Sequence, residues 1–418
     1  MTARVLDGPA LTAGAELLSS HRARLGPFPR RAGQEIVPLL EAAGLLGRGG
    51  AGFPVARKWA SVAMQAKIRG RDPVVLANGA EGEPLSAKDR VLMTTRPHLV
   101  LDGAELAATA IGAGRIVVYV GEAHEAAYDA VARAIDERAE ARAGSPHHTF
   151  DLVAAPHAYV SGEESAAVHF VNAGDARPTS TPPRPFERGI DDRPTLVQNV
   201  ESLAHAALVA RYGDAWYREP GRDVTRGTAL VTIGGAPRYG VTEIELGLSL
   251  GDVATTAGLE PGSRRAAGPV LLGGYFGGWV AGEDVWRTPL DPVTLRSAGS
   301  AFGCGVIRFL EPDTCGVEAT ARMLDYMAGQ SAAQCGPCVF GLRAIADASA
   351  RLTVGRPHDD DLRRIRGWSE TLAGRGACRH PDGAAGLLRS ALRVFETDFA
   401  AHQRRSGCTA GQRIRRAA

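Results

Sequence analysis

The run Gly44-Leu-Leu-Gly-Arg-Gly-Gly-Ala-Gly-Phe-Pro-Val-Ala-Arg-Lys-Trp59 decides how the rest of the chain is read. It places five glycines within the nine residues from Gly44 to Gly52. Glycine loses more backbone entropy on folding than any other residue, so such a cluster has a use only where main chain turns tightly or lies against a ligand. N–H groups presented by a loop of this kind suit a phosphate. Arg48 and Lys58 add positive charge on either side, and Phe53 offers a flat apolar face to a ring. Gly47, Gly49 and Gly52 fit G-x-G-x-x-G, but the dinucleotide fingerprint needs a strand before the loop. The preceding Glu35-Ile-Val-Pro-Leu-Leu-Glu-Ala-Ala-Gly-Leu-Leu46 reads as a helix. The stretch is therefore expected to cradle a phosphate in a way that is not a Rossmann turn; the alternative is a plain glycine-rich connection.

The chain of 418 residues is long enough for two to four domains, each with its own core. A net charge of +2 gives no global argument for nucleic acid. The sequence has no apolar run of about 18 residues, and its N-terminus lacks the apolar core of a signal peptide. A cytoplasmic protein is expected, able to sit peripherally on a membrane complex. All six cysteines lie between Cys304 and Cys408, which points to local cysteine chemistry rather than dispersed disulfides. Only three lysines occur among 48 basic residues, and two of them, Lys58 and Lys88, fall inside motifs. A compact ammonium does not interchange with a guanidinium, so these two are expected to be needed as lysine.

Outward from the loop, Val74-Val-Leu-Ala-Asn78 reads as a short buried strand opening Asn78-Gly-Ala-Glu-Gly-Glu-Pro-Leu-Ser-Ala-Lys-Asp-Arg90. Helical spacing from 98 to 113, a strand from 115 to 120 and a charged helix from 126 to 143 continue an alternating α/β pattern. Tyr159-Val-Ser-Gly-Glu-Glu-Ser165 reads as a strand ending in glycine and paired carboxylates, and the two glutamates also suit a helix start. A proline-rich run, 177–185, is expected to cross a surface in extended form. Thr195-Leu-Val-Gln-Asn-Val-Glu-Ser202 leads into another helix. From 229 to 281 short β-like runs (229–233, 240–246, 269–276) surround a helix at 250–257. From about Pro292 to 400, spacings of three and four imply a helical bundle that carries the cysteines.

Cys335-Gly-Pro-Cys338 and Cys378 supply three thiols near helix ends, which suits an iron–sulfur cluster. Two alternatives stand beside it. A C-G-P-C pair also occurs as a redox dithiol, although that motif follows a strand, whereas here Ser331-Ala-Ala-Gln334 reads as the continuation of a helix. Zinc would need a fourth nitrogen or sulfur ligand.

Taken together, these motifs resemble the NADH-binding flavoprotein subunit of respiratory complex I and its relatives in NAD-reducing hydrogenases and formate dehydrogenases. The family's G-x-G-G-A-G-F-P-x-x-x-K-W is matched by Gly47 to Trp59, and its N-A-D-E-G-E-P with a following K-D-R in large part by Asn78 to Arg90. Y-x-x-G-E-E is matched by Tyr159 to Glu164, and V-N-N-V-E-T approximately by Val197 to Ser202. The resemblance implies a flavin-binding α/β domain (1–225), a β-grasp domain of the soluble-ligand-binding type (226–290) and a helical iron–sulfur domain (291–403); the remaining 404–418, by its basic composition, is expected to be a disordered tail. It implies FMN against the loop, contacted by Gly47, Arg48, Gly49, Gly50, Lys58, Asn78, Tyr159, Gly162, Glu163, Val197, Gln198 and Asn199. Phe53, Glu81, Glu83 and Glu164 would shape the nicotinamide side, with Glu83 and Glu164 as the catalytic pair. A [4Fe–4S] or [3Fe–4S] cluster would be held by Cys335, Cys338 and Cys378. The implied activity is oxidation of NAD(P)H through FMN, with electrons leaving one at a time to the cluster and on to a protein acceptor such as a ferredoxin-like partner.

Departures from the family pattern bear on the nucleotide and on the cluster. N-A-D reads Asn78-Gly79-Ala80, the first of the paired asparagines is Gln198, and an aromatic beyond the loop lysine is Ser61. In the proline-rich run the family's lysine is Thr181 and its phenylalanine Arg184. The first cysteine of C-x-x-C-x-x-C would stand at Ala332; Cys315, Cys304, Cys408 and His380 are candidates for a fourth ligand, with Cys315 the nearest upstream. An alternative is a flavin and cluster scaffold whose nucleotide site has decayed.

Overall fold

The computed structural model describes residues 4–28, 32–141, 148–262, 268–406 and 408. It separates into two units, Met1–Val231 with Val241–Leu248, and Thr232–Gly240 with Ser249–Ala418. Through the first unit run α1 (Leu18–Leu25), α2 (Ala32–Ala43), α3 (Val55–Arg69), β1 (Val74–Gly79), α4 (Lys88–Thr95), α5 (Pro97–Ile111), β2 (Arg115–Gly121), α6 (Glu125–Ala141), β3 (Thr149–Ala155), α7 (Glu164–Ala173), β4 (Thr195–Asn199) and α8 (Val200–Arg218). The alternation expected from the sequence is present. β1 to β4 form a fully parallel sheet in the order β3-β2-β1-β4. Val75, Ala77, Ile116 and Val118 point into one apolar core, while Val74, Leu76, Val117 and Tyr119 point into the other, beside Ala167 and Val168 of α7. A sheet covered on both faces explains why β1 reads as an unbroken apolar run rather than an alternating one.

Two helices of this unit touch backbone to backbone. A Cβ placed on Gly103 of α5 would lie 2.0 Å from the Leu203 carbonyl oxygen of α8, so only glycine allows the crossing at that depth.

β5 (Thr228–Gly234) and β6 (Gly240–Glu245) are each split by the division between units. The second unit continues with α9 (Leu250–Thr256), β7 (Val270–Leu272), β8 (Gly278–Val280), α10 (Pro292–Ser297), β9 (Val306–Phe309), α11 (Gly316–Gly329), α12 (Arg343–Thr353), α13 (Asp361–Thr371), α14 (His380–Val394) and α15 (Glu396–Gln403). The end of β5 pairs in parallel with β9; β9 pairs antiparallel with β7, and β7 with β8. This small mixed sheet stands where a β-grasp element was expected. Trp279 of β8 fastens it to the bundle: its ring N–H donates to the Thr320 hydroxyl (3.0 Å), and its backbone N–H donates to the Ser390 hydroxyl oxygen (2.9 Å).

Four local expectations are corrected. The run 269–276 is a strand only as far as Leu272, because Gly273 and Gly274 take positive φ (86° and 84°). Residues 306–309, inside the stretch read as helical, form the strand joining β5 to β7. Tyr159–Gly162 is a 3-10 turn rather than a strand; the Ser161 hydroxyl closes it onto the Ala158 carbonyl (2.7 Å). Residues 331–334 do not prolong a helix: α11 stops at Gly329, Ala333 is left-handed (φ 55°), and its N–H is taken by the Ser331 hydroxyl (3.1 Å). Of the basic tail, only 404–406 and 408 are among the described residues. Among the described residues no helix is long and apolar enough to cross a membrane.

Candidate functional site

In the first sheet the chain moves outward from β1 to β2 and β3, then returns to place β4 on the other side of β1. Between β1 and β4 the strand order therefore reverses, and the crevice beyond their carboxyl ends is where open α/β sheets take ligands. The last partnered residues there are Asn78 and Asn199, side by side in register. The glycine loop leans on this point. A bridge between Leu46 and Pro54 and the bond from Gly47 N–H to the Phe53 carbonyl (2.9 Å) close it into a tight turn. Gly50 and Gly52 have φ of 109° and 61°. A Cβ on Gly49 would sit 3.2 Å from Asn199 Cβ, so residue 49 lies tight against the end of β4 and a side chain there would have to push Asn199 aside.

The other motifs meet at the same place. Asn78 donates to the Gly162 carbonyl (2.8 Å), and the Tyr159 hydroxyl donates to Glu83 (3.0 Å). A Cβ on Gly82 would lie 2.6 Å from the Tyr159 carbonyl oxygen. The carboxylates work first as helix caps, satisfying amides that a helix leaves unpaired at its start. Glu81, itself at φ 45°, accepts from Asp89 N–H and Arg90 N–H (both 2.9 Å) at the start of α4. Glu163 accepts from Ser165 N–H (2.9 Å) and Ala166 N–H (3.0 Å) of α7, and Asn199 accepts from Glu201 N–H (3.1 Å) and Ser202 N–H of α8. Lys58 is paired with Glu164. Gln198 accepts from the buried Trp59 ring (3.3 Å), with Val197 inside the core. Phe53, 49% exposed, keeps its ring face accessible and has the Arg57 guanidinium 5.9 Å from its centroid.

Arg48 is placed differently from the expectation that its charge flanks a phosphate. Its guanidinium is buried and donates to the Tyr217 hydroxyl and the Thr228 carbonyl (both 3.0 Å), while its backbone N–H donates to the Ser202 hydroxyl (2.8 Å). The arginine anchors the loop from below, because the partners that satisfy it lie within the core rather than at the crown.

Beneath the site lies a buried ionic group that the motifs only hinted at. Lys88 sits 2.7 Å from Asp89 and 2.8 Å from Glu201. Burial works against its charged form, but the two carboxylates outweigh this and hold the ammonium well above the usual lysine range. Burial, with Glu81 and Glu201 nearby, pushes Asp89 up to about 7 in spite of Lys88, and Asn199 donates to its other oxygen (2.7 Å). Glu201 is also buried, yet Lys88, His205 and Arg48 hold its carboxyl at about 2. A guanidinium has neither the size nor the donor geometry for this niche, which explains the retained lysine.

The second unit assembles the cysteines. Cys335 precedes a π-helical segment, Pro337–Leu342, that contains the buried Cys338, and Cys378 stands just ahead of α14. No strand leads into Cys335, unlike the dithiol motif. Cys338 N–H bonds the Cys335 carbonyl (3.2 Å). Burial pushes the Cys338 thiol up to about 12, with the neighbouring Cys335 and Cys378 thiols adding to the shift and a Ser331 hydroxyl contact opposing it. The Cys335 and Cys378 thiols are thus near enough to act on Cys338, whose thiolate is favoured only beside a cation such as an iron cluster provides. The candidates for the fourth position have partners of their own. Cys304 bonds the Gly273 carbonyl (3.4 Å), His380 bonds the Met327 carbonyl (2.7 Å), and Cys315 and Cys408 lie with His402. Cys315 is at the start of α11 and Ser331 just past its end, and the helix between them is about 20 Å long.

Comparison with known proteins agrees with both regions. Residues 40–207 match the Nuo51 FMN-binding domain, and residues 318–402 match the NADH-ubiquinone oxidoreductase-F iron-sulfur binding region. The NADH-quinone oxidoreductase F 2 subunit of Rhizobium meliloti is 32% identical over 90% of this chain and 90% of its own length. The NADP-reducing hydrogenase HndC subunit of Solidesulfovibrio fructosivorans is 28% identical over 90% of this chain and 77% of its own. Among solved structures, the NAD+-reducing [NiFe]-hydrogenase in the H2-reduced state superposes with a TM-score of 0.80 at 29% identity; it is matched over 88% of this chain, which spans 62% of that one. Glycine loop, acidic turn, paired strand ends and cysteine bundle fall in the regions these matches cover, and the chain belongs to the family of NADH-quinone oxidoreductase F subunits.

Proposed function

We propose that the chain is an FMN-dependent, NAD(P)H-oxidising electron-transfer protein that passes electrons through an iron–sulfur cluster to a protein acceptor. The observation that carries this reading is the placement of Asn78 and Asn199 as register partners at the reversal of the first sheet, with Gly49 pressed against Asn199. When bound, FMN takes two electrons as a hydride from the nicotinamide and releases them singly.

The residues fit such a group. Gly47, Gly49 and Gly50 let main chain approach a phosphate or ring without a Cβ in the way. Lys58, oriented by Glu164, supplies a positive charge near the loop, and Asn78 and Asn199 present amides held in place by their own bonds. Glu83, fixed by the Tyr159 hydroxyl, and Glu164 would face the nicotinamide side, where Phe53 offers a stacking surface. In the second unit, Cys335, Cys338 and Cys378 would hold three irons of a [4Fe–4S] cluster or the whole of a [3Fe–4S] one. The relatives are named as subunits of oxidoreductases, which supports a protein partner as acceptor; a ferredoxin-like acceptor and a place on a membrane-associated complex extend this reading.

Steady-state oxidation of NADH and NADPH with an artificial acceptor tests the reading on protein whose FMN has been measured. Turnover with at least one nucleotide is expected. Gly49→Val should purify folded with its FMN content lowered roughly tenfold, the equivalent of about 1.4 kcal/mol. Flavin-loaded wild type that oxidises neither nucleotide would leave a scaffold with a decayed site; a yellow, fully flavinated Gly49→Val would remove FMN from the loop.

A further inference from the structure

The second unit brings together another set of sulfur and nitrogen donors, apart from the cluster cysteines. Cys315 stands at the start of α11, His402 lies in the last turn of α15, and Cys408 follows shortly after that helix. The two sulfurs and one ring nitrogen all lie within 4.8 Å of one another, and all three residues are buried. His402 Nε2 is 3.3 Å from Cys315 Sγ, and Nδ1 is 3.1 Å from the Leu352 carbonyl oxygen. A carbonyl only accepts, so Nδ1 carries the proton and Nε2 turns its lone pair toward the thiols. That is how a metal-binding imidazole is held, with the second ring nitrogen donating to a backbone oxygen.

The chain takes an unusual route to bring the second thiol there. After α15 it reverses through Arg405 at φ 57°, a left-handed position where glycine is the ordinary choice, and Ser406 N–H returns to the Ala401 carbonyl (3.0 Å). An S–H···N bond involves Cys315 and His402, and Cys408 Sγ lies within the same 4.8 Å of both.

We propose that Cys315, His402 and Cys408 bind one zinc ion, which ties the turn after α15 to the helical bundle. Two thiolates and an imidazole suit a borderline-soft divalent ion, with a water molecule taking the fourth position where the protein supplies three ligands. Tetrahedral zinc would separate its sulfur and nitrogen ligands by about 3.6 Å and its sulfurs by about 3.8 Å, within small side-chain rotations of the arrangement found. Binding displaces one proton from each thiol, so two thiolates balance the two charges of the ion and two protons pass to solvent.

The test counts zinc and iron on the same sample of full-length protein, grown with zinc and purified anaerobically. Wild type and the control Cys304→Ser should retain about one zinc per chain after dialysis against a weak chelator. Cys408→Ser and His402→Ala should each lose it roughly tenfold or more, with iron per chain unchanged. Because losing a buried ligand can loosen the bundle, cobalt is also added to zinc-stripped, iron-loaded wild type; thiolate-to-cobalt absorption should appear. Wild type without zinc and without those bands would overturn the proposal. So would zinc that survives both substitutions, or an intact mass showing a Cys315–Cys408 disulfide.

Discussion

The flavin-side region and the cysteine bundle are held together by opposite means. At the end of the first sheet, the polar side chains are already satisfied by one another: Asn78 by Gly162, Tyr159 by Glu83, Asn199 by Asp89, and Glu81 by the amides of α4. In the bundle the thiols of Cys335 and Cys378 act on that of Cys338, whose charged form burial disfavours. The first region is organised in advance of its cofactor; the second gains much of its order from what it binds. A polar pocket and a metal centre in one chain thus draw their folding energy from different sources.

The strongest way to break this contrast is to remove the ammonium under the flavin side. Lys88→Met leaves Asp89 and Glu201 buried without their cation, and chemical denaturation should show a loss of about 3–5 kcal/mol from the first unit. A loss under about 1 kcal/mol would mean that the ionic group does not carry the region.

Acid should act next in size. Glu201 is held at about 2 when folded against an ordinary 4.5, so its stabilisation is complete above pH 4.5 and disappears as the pH falls from there toward 2. That amounts to about 3 kcal/mol, read as a falling denaturation midpoint between about pH 5 and 3. Glu201→Gln should flatten the dependence, and an unchanged acid slope in that variant would count against the assignment.

The bundle is sharpened by completing it. Ala332→Cys, beside the Ser331 that touches Cys338, should slow the loss of iron in air roughly tenfold, followed by the electron paramagnetic signal of the cluster. Equal rates in both proteins would show that residue 332 does not reach the open corner.

The smallest effect is expected at the nucleotide. Arg184 is exposed in the strap that Thr179 N–H fastens to Ser165 (3.0 Å), and its guanidinium can pair with a 2′-phosphate. Arg184→Phe should move the ratio of NADPH to NADH efficiency toward NADH by about 0.5–1.5 kcal/mol. An unmoved ratio would detach Arg184 from nucleotide choice.

Much of the flavin side was legible because its parts are contiguous in sequence. The glycine run, the acidic turn after β1, the Tyr159 segment and the end of β4 are each a single short contiguous stretch, and all four arrive at one crevice. The direction of Arg48 was not legible, since it depends on Tyr217 and Thr228, which no local pattern ties to it. Nor were the caps: Glu81 reaches α4 from outside the helix through a left-handed turn, against the usual preference for short polar residues. In the bundle, spacing singled out Cys335, Cys338 and Cys378 but could not say where Cys315 points. Its neighbour His402 is 87 residues away, and only the packing of α15 brings them together.

The crossing of α5 and α8 has a consequence for inheritance. Leu203 lies one turn beyond Asn199, so a methyl group at Gly103 would wedge against the very turn that presents the asparagine to the glycine loop. An alanine allele there would be recorded as a flavin-deficient phenotype although residue 103 belongs to no motif of the site. Its natural suppressors would be deletions of bulk around Leu203 rather than changes in any residue that meets the cofactor.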